Sequence, residues 1–208
     1  MVLVKQKATQ RITRRKQEKE AHDANPVADL EDADPAIRRS AARALVHCPD
    51  AADALLSRLR REENFAVREV ILTSLIRIGA SSVASELAEL LRTGDAAMCN
   101  EIIEAMKQMP GEVAPMVRSL LADSDPDMRI FAVNILESLR HPEIESWLIE
   151  VIEADAHINV CAAAVDLLSE VGTNLAVEPI NRLKARCADS PYIQFAADVA
   201  LQRIRGGR

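Results

Sequence analysis

The side chains best suited to metal binding or nucleophilic chemistry are scattered singly along this 208-residue chain. Its four histidines and four cysteines recur at no metal-site spacing: His22, His47, His141 and His157, and Cys48, Cys99, Cys161 and Cys187. His47 and Cys48 are adjacent, but neighbours on a helix point about 100° apart and suit one metal ion poorly. We therefore predict no metal centre and expect turn or surface histidines.

Motifs for covalent catalysis or phosphate binding are absent as well. The chain has no G-x-S-x-G, no P-loop and no G-x-G-x-x-G, and it contains only six glycines. It has no C-x-x-C pair, no signal-peptide core behind Met1 and no apolar run approaching the ~20 residues of a membrane helix. These features predict a reduced, cytoplasmic protein with no catalytic residues and no cofactor.

Charge is divided unevenly between the N-terminal residues and the rest of the chain. Residues 1–20 carry Glu18 and Glu20 against seven bases, a net charge of +5: Lys5, Lys7, Arg11, Arg14, Arg15, Lys16 and Lys19. The remainder carries -11 of the total of -6. We assign residues 1–25 to a basic arm, helical or disordered, and 26–208 to a repeat domain. The arm is either simply solvated, or it contacts nucleic acid, an anionic membrane or an acidic partner.

The elements that must position any site repeat along the chain. Apolar residues are 49% of the sequence but aromatic residues only 2%, which favours closely packed helices. One apolar slot recurs every 30 to 33 residues, and further apolar residues follow it four and eight positions later, as on one helix face. The slot is occupied by Ile37, Val67, Met98, Met128, Val160 and Ile193.

Capping and turn residues repeat in the same phase. Three residues before the slot stand candidate N-caps: Asp34, Asn64, Asp95, Asp125, His157 and Ser190. Pro or Gly breaks the chain after each of the first five helices, and a second apolar stripe follows each break. The pattern predicts an all-α solenoid of about five helical hairpins plus a terminal capping helix.

The motif Asp-x-Asp-Pro-x-apolar-Arg-x-x-Ala-x-x-x-Leu resembles the HEAT repeat, in the short bacterial variety of the phycobilisome-lyase type. The resemblance covers residues 26 to about 204 and implies an α-α superhelix whose second helices line the concave face. It also implies a structural ladder of Asp and Arg from successive repeats: Asp34, Arg38, Arg68, Asp125 and Arg129. Cys99, Cys161 and Gln194 stand where the arginine is missing, so the ladder is expected to be interrupted there and those joints to be held mostly by apolar packing.

Enzyme relatives of this repeat type are poorly matched. Its di-iron hydroxylases need His-Glu pairs, and no histidine here precedes a glutamate. Its DNA glycosylases use a basic groove with aromatic residues, whereas this body is acidic. A lyase-like or cofactor-delivery helper remains an alternative, as does nucleic-acid or anionic-surface binding through the arm.

The second helices offer the best candidate surface. Aligning Val83 with Ile144 places Trp147 in the slot of Glu86, and Glu150 in that of Glu89. An exposed tryptophan beside Glu145 and Glu150 would suit a binding hot spot, whereas a tryptophan tucked against a neighbouring repeat would not. We predict a bacterial, non-enzymatic adaptor or scaffold whose acidic concave surface binds a protein with basic or apolar contact features.

Overall fold

The structure is a computed structural model that describes residues 25–206. The seven basic side chains of the arm lie outside the described residues, as do residues 207 and 208. Residues 25–206 form helices joined by turns and contain no β-strand. The described residues divide into two compact units, 25–78 and 79–206.

The first unit contains a short helix, the first complete helical hairpin and the first helix of the second hairpin. Its helices are α1 (Pro26–Asp29), α2 (Pro35–Ala44), a 3-10 turn (Pro49–Ala51), α3 (Ala52–Leu59) and α4 (Phe65–Ile78). Helix α4 packs against both α2 and α3. It ends at Ile78, and the φ of the next residue, Gly79, is 60°, in the left-handed region that favours glycine.

In the second unit, first and second helices of successive hairpins alternate up to the last described helix. It contains α5 (Ser81–Leu91), α6 (Ala96–Met106), α7 (Pro110–Val113), a 3-10 turn (Ala114–Met116), α8 (Val117–Leu121), α9 (Pro126–Leu136), α10 (Ile144–Ala154), α11 (Ile158–Val171), a 3-10 turn (Asn174–Ala176), α12 (Val177–Arg186) and α13 (Pro191–Gly206). The second helix of the third hairpin is thus broken, around Pro115, into α7 and α8. The all-α repeat architecture predicted from the sequence is confirmed.

The repeated apolar positions form the core. Every residue four or eight positions after the slot is buried in all six repeats, from Ala41 and Leu45 to Ala197 and Leu201. The slot itself is fully buried at four repeats, whereas Ile37 is exposed and Met98 is half-buried. Small and branched side chains therefore fill the space between neighbouring helices, as the aromatic-poor composition requires.

The predicted caps hold the starts of the first helices. Side-chain oxygens of Asp34, Asn64, Asp95, Asp125 and Ser190 each accept a backbone N–H of the following turn. His157 makes no such side-chain bond at the start of α11. Among residues 25–206, no helix combines the length and apolar character needed to cross a membrane.

Candidate functional site

Two arginines of the predicted ladder tie consecutive repeats together. Arg38 donates from Nε and Nη2 to the two carboxylate oxygens of Glu62, both at 2.8 Å. Arg129 makes the same two-pronged contact with Asp155, at 2.6 and 3.0 Å. The Nη1 atom of each arginine donates to two backbone carbonyls of the preceding loop. Each guanidinium therefore links a loop of its own repeat to the carboxylate that precedes the next first helix.

The ladder was expected to use Asp34 and Asp125, but Arg38 and Arg129 bond to the side chains of Glu62 and Asp155. Both aspartates cap their own helices: Asp34 accepts the Ala36 N–H at 2.8 Å, and Asp125 accepts the Asp127 N–H at 2.9 Å. The carboxylates that pair stand five residues before the apolar slot, a position occupied by Asp32, Glu62, Asp123 and Asp155. This recurrence is visible in the sequence and could have identified the carboxylates that pair with the arginines. Arg68 donates to the carbonyls of Glu62 and Glu63.

The paired carboxylates have lowered pKa values. Burial alone would raise the pKa of Glu62, but hydrogen bonds from Arg38, the Asn64 N–H and Arg58 outweigh it and lower the pKa to about 2. Burial likewise opposes ionisation of Asp155, and the bonds from Arg129 and the His157 N–H lower its pKa below the ordinary value. Both groups are ionised acceptors whose role is structural.

The joints that lack the arginine keep a donor at the same position. Cys99 directs its thiol to the carbonyls of Leu91 and Gly94, and Gln194 donates to those of Lys184 and Cys187. Cys161 donates to the Asp155 carbonyl. These hydrogen bonds add to the apolar packing that is expected to hold most of these joints, because the loop carbonyls still need donors.

At the fifth repeat a distant arginine supplies the missing guanidinium. Arg186, at the end of α12, donates to the carbonyls of Ile152, Glu153 and Asp155 at 2.5 to 3.0 Å. Its Nη2 also lies 3.5 Å from the Cys161 sulfur. Burial raises the pKa of the Cys161 thiol. The polar groups of this joint therefore bond to one another.

An open cleft lies between α8 and α10, and we call it the α8–α10 cleft. Its volume is about 520 Å³. Leu121, Ala122, Val151, Ala154 and Ala156 provide its apolar lining. Its charged lining is Arg118, Asp123, Arg129, Glu150 and Asp155. On α10, Trp147, Glu150, Val151 and Ala154 share one face through steps of three and four residues, so a single helix supplies much of one wall.

Trp147 lines this cleft but is not the exposed hot spot predicted from the sequence. The side chain is only 5% exposed. Its ring stacks on His141, with centroids 4.6 Å apart and planes 18° apart. The aligned slot is exposed at Glu86 but buried here, because the turn before α10 places His141 against the indole. Trp147 is therefore mainly a core residue whose remaining surface faces the cleft.

The charges of the cleft fall into fixed and exposed pairs. Asp123 is held by Arg92 at 2.5 and 3.2 Å and by the Asp125 N–H, and these bonds lower its pKa. By contrast, Arg118 and Glu150 meet at 2.9 Å with side chains that are 63% and 61% exposed. Such an exposed pair contributes at most about 1 kcal/mol, so it exchanges partners readily.

The other predicted binding glutamates lie outside the cleft lining. Glu145 accepts from the backbone N–H and the hydroxyl of Thr173 in the next repeat. Glu89 pairs with Arg92 at 3.2 Å on α5, and Glu86 is exposed on the same helix. The structure therefore brings together Trp147 and Glu150 of the predicted set and adds Arg118, which sequence reasoning missed.

Residues 25–112 and 113–202 each match a family model for HEAT repeats. The two matches together span most of the chain and leave out only the arm and the last residues. No curated protein sequence matches it.

Solved structures of similar fold include an engineered protein, an archaeal HEAT-like repeats protein from Thermococcus onnurineus, and the complex of CpcE and CpcF of phycocyanin lyase from Nostoc. Their sequence identities to this chain are 18%, 17% and 15%, and their TM-scores are 0.41, 0.47 and 0.36. The alignments cover 87%, 87% and 84% of this chain and 95%, 86% and 92% of the others. Likenesses this distant carry no inference about activity or partner.

Proposed function

The chain belongs to the HEAT-repeat family, and we propose that it is a non-catalytic scaffold that binds another protein in the α8–α10 cleft. The observation that carries the proposal is the open apolar lining between two second helices, with the exposed Arg118–Glu150 pair beside it. Repeat proteins bind through extended surfaces of this kind, formed by successive copies of the same helix.

The chemistry of the cleft favours a partner segment with an apolar side chain next to a basic one. Leu121, Val151 and Ala154 offer apolar surface to the first side chain. The lining carries three carboxylates (Asp123, Glu150 and Asp155) against two arginines, and Glu150 is exposed, so the cleft favours a basic side chain beside it. Acidic potential of this kind also raises the rate of encounter with a cationic segment.

Binding would exchange one surface ion pair and leave the fixed pairs in place. A basic residue of the partner replaces Arg118 at Glu150, at the cost of an exposed pair that contributes little. Asp123 and Asp155 stay with Arg92 and Arg129, which hold the walls. The cleft is thereby preorganised, which reduces the entropic cost of association.

The test blocks the cleft from an exposed position. Ala154→Arg places a long cationic side chain in the cleft, whereas Ala185→Arg makes the same change on the exposed face of α12. We expect affinity capture from the source cell, quantified by mass spectrometry, to lose one partner with Ala154→Arg and to keep it with Ala185→Arg. Synthetic segments of that partner should then shift the emission of Trp147, the one tryptophan of the chain.

Two results would contradict the proposal. One is a captured set that is identical for the wild type and for a folded Ala154→Arg variant. The other is a partner that binds without changing Trp147 emission. Thermal unfolding of both variants controls for folding, because both alanines are exposed and neither substitution removes core packing.

A further inference from the structure

One face of the last described helix, α13, presents large apolar side chains to solvent. Tyr192 and Phe195 are 56% and 68% exposed, and Val199, one turn further on, is half-buried. Gln202 follows on the same face, because steps of three and four residues return to one side of a helix. We call these four residues the α13 stripe. It contains two of the five aromatic residues of the chain.

The repeat architecture does not require apolar residues on this face. The first three residues of the stripe stand one position before the apolar slot and two and six positions after it. The equivalent positions of the five earlier first helices are mostly exposed. They hold alanine or a polar or charged residue in every case but Ile130. The aromatic residues of α13 therefore depart from the common pattern at a surface, where core packing does not explain them.

An adjacent side of α13, which corresponds to the side that packs on the next repeat, is charged. The position five residues after the slot is buried and apolar in the five earlier repeats, from Ala42 to Val165. It faces the next first helix, since the Ala42 carbonyl accepts the Ser74 hydroxyl of α4 at 2.8 Å. In α13 this position is Asp198, which is exposed and pairs with Lys184. A partner of α13 is therefore expected on the stripe.

The stripe has the symmetry that a two-fold contact between identical helices requires. Tyr192 and Gln202 lie five residues from Ala197 in opposite directions, and Phe195 and Val199 lie two residues from it. When two copies of α13 pack antiparallel and cross at Ala197, each Phe195 meets Val199 of the other copy, and each Tyr192 meets Gln202. A surface that matches itself in this way is the basis of an isologous dimer.

The charges at the ends of α13 favour the same antiparallel arrangement. Asp189 in the turn before the helix and Arg205 near its end are both exposed. They lie eight residues from Ala197 in opposite directions. The antiparallel pair therefore brings each Asp189 to Arg205 of the other copy, whereas a parallel pair brings like charges together.

We propose that α13 is a homodimerisation surface, on which the stripe of a second copy of this chain packs antiparallel about a two-fold axis. A single helix pair is a small interface, so the dimer is reversible, with a dissociation constant on the order of 10 μM. The contact does not involve the α8–α10 cleft. A dimer carries two such clefts, so a partner with two binding segments is held more tightly than by one chain.

Sedimentation equilibrium of the full chain tests the dimer over roughly 1 to 200 μM, a range that brackets this dissociation constant. We expect the weight-average mass of the wild type to rise from that of a monomer toward that of a dimer. Phe195→Asp should raise the dissociation constant at least about tenfold, because it places a charge at the centre of the apolar contact. Phe65→Asp makes the same change at a phenylalanine of α4 that is 59% exposed, and it should leave association unchanged.

Charge exchange tests the antiparallel register. Arg205→Glu should weaken the dimer by roughly tenfold, because a carboxylate then faces Asp189 of the other copy. Asp189→Lys should weaken it to a similar extent. Asp189→Lys/Arg205→Glu in one chain restores opposite charges at both contacts and should return the dissociation constant to that of the wild type.

A wild type that stays monomeric, association that continues beyond a dimer, or equal association of Phe195→Asp and Phe65→Asp would overturn the proposal. A double exchange that does not restore the dimer would also overturn it. Thermal unfolding of each variant controls for folding, since all four substituted positions are exposed. No external partner is needed, so these results are independent of the capture experiment with Ala154→Arg.

Discussion

Two groups of arginines in this protein make similar contacts and have different consequences. The joint arginines, Arg38, Arg129 and Arg186, donate to backbone carbonyls, and the first two also pair with a buried or half-buried carboxylate. The surface arginines, Arg118 and Arg182, each meet one exposed glutamate of α10. Sequence separation does not distinguish them, because both groups link positions about one repeat apart.

The difference teaches that burial and backbone partners separate a structural ion pair from an exchangeable one. The side chains of Arg129 and Asp155 are 16% and 8% exposed, and the carboxylate also accepts the His157 N–H. Removing one member of such a pair strands the other with its desolvation cost unmet. Removing Glu150 merely returns Arg118 to water. The joints therefore hold the repeats, and the surface pairs remain available for binding.

The largest expected effect is at Glu62. Its carboxylate is 1% exposed and pairs with Arg38 and Arg58. We expect Glu62→Ala to lower the free energy of unfolding by about 3–5 kcal/mol, because it leaves Arg38 buried without its counter-ion. Urea denaturation measures this loss. Glu63→Ala, at the exposed neighbour, is the control, and an equal effect of the two would contradict the assignment of the joint.

The same carboxylate should make stability depend on acid pH. Its pKa is about 2 in the folded chain against an ordinary value of 4.5. A lowered folded-state pKa contributes stability above pH 4.5 that is lost as the pH falls toward 2, here about 3 kcal/mol. Urea midpoints between pH 5 and 2 should fall more steeply for the wild type than for Glu62→Gln. Parallel curves for the two proteins would refute this account.

A direct comparison within the cleft sets Asp155 against Glu150. We expect Asp155→Ala to cost about 2–3 kcal/mol, because Arg129 keeps its carbonyl contacts but loses a partly buried counter-ion. Glu150→Ala should cost less than about 1 kcal/mol. Thermal unfolding of the two variants in one buffer compares them. If the exposed pair proved as costly to break as the buried one, the distinction drawn above would fail.

The smallest expected effect concerns the substitute arginine of the fifth repeat. Arg186→Ala removes the donor to three carbonyls and should cost about 1–2 kcal/mol. Arg182→Ala, one turn earlier on α12, removes only an exposed pair with Glu153 and should change stability by less than about 1 kcal/mol. Hydrogen exchange at the end of α10 should increase for the first variant alone; an increase in both would contradict the role given to Arg186.

The sequence by itself determined the repeat architecture of this protein. Positions separated by 30 to 33 residues carry the same apolar and capping types, and local rules of helix periodicity and capping suffice to interpret them. The helix starts at Asp34, Asn64, Asp95, Asp125 and Ser190 were therefore predicted correctly. The residue-level departures from the common pattern at Cys99, Cys161 and Gln194 were also visible in the sequence.

Only the tertiary structure decided which partners those residues have. Trp147 is buried because His141, six residues earlier, folds against its ring, and the alignment of repeats contained no sign of that turn. Arg186 contacts Cys161, which lies 25 residues earlier in the chain. Arg118 of the third hairpin pairs with Glu150 of the fourth. Long side chains choose acceptors by distance and burial in three dimensions, whereas periodicity along the chain specifies only the helix that carries them.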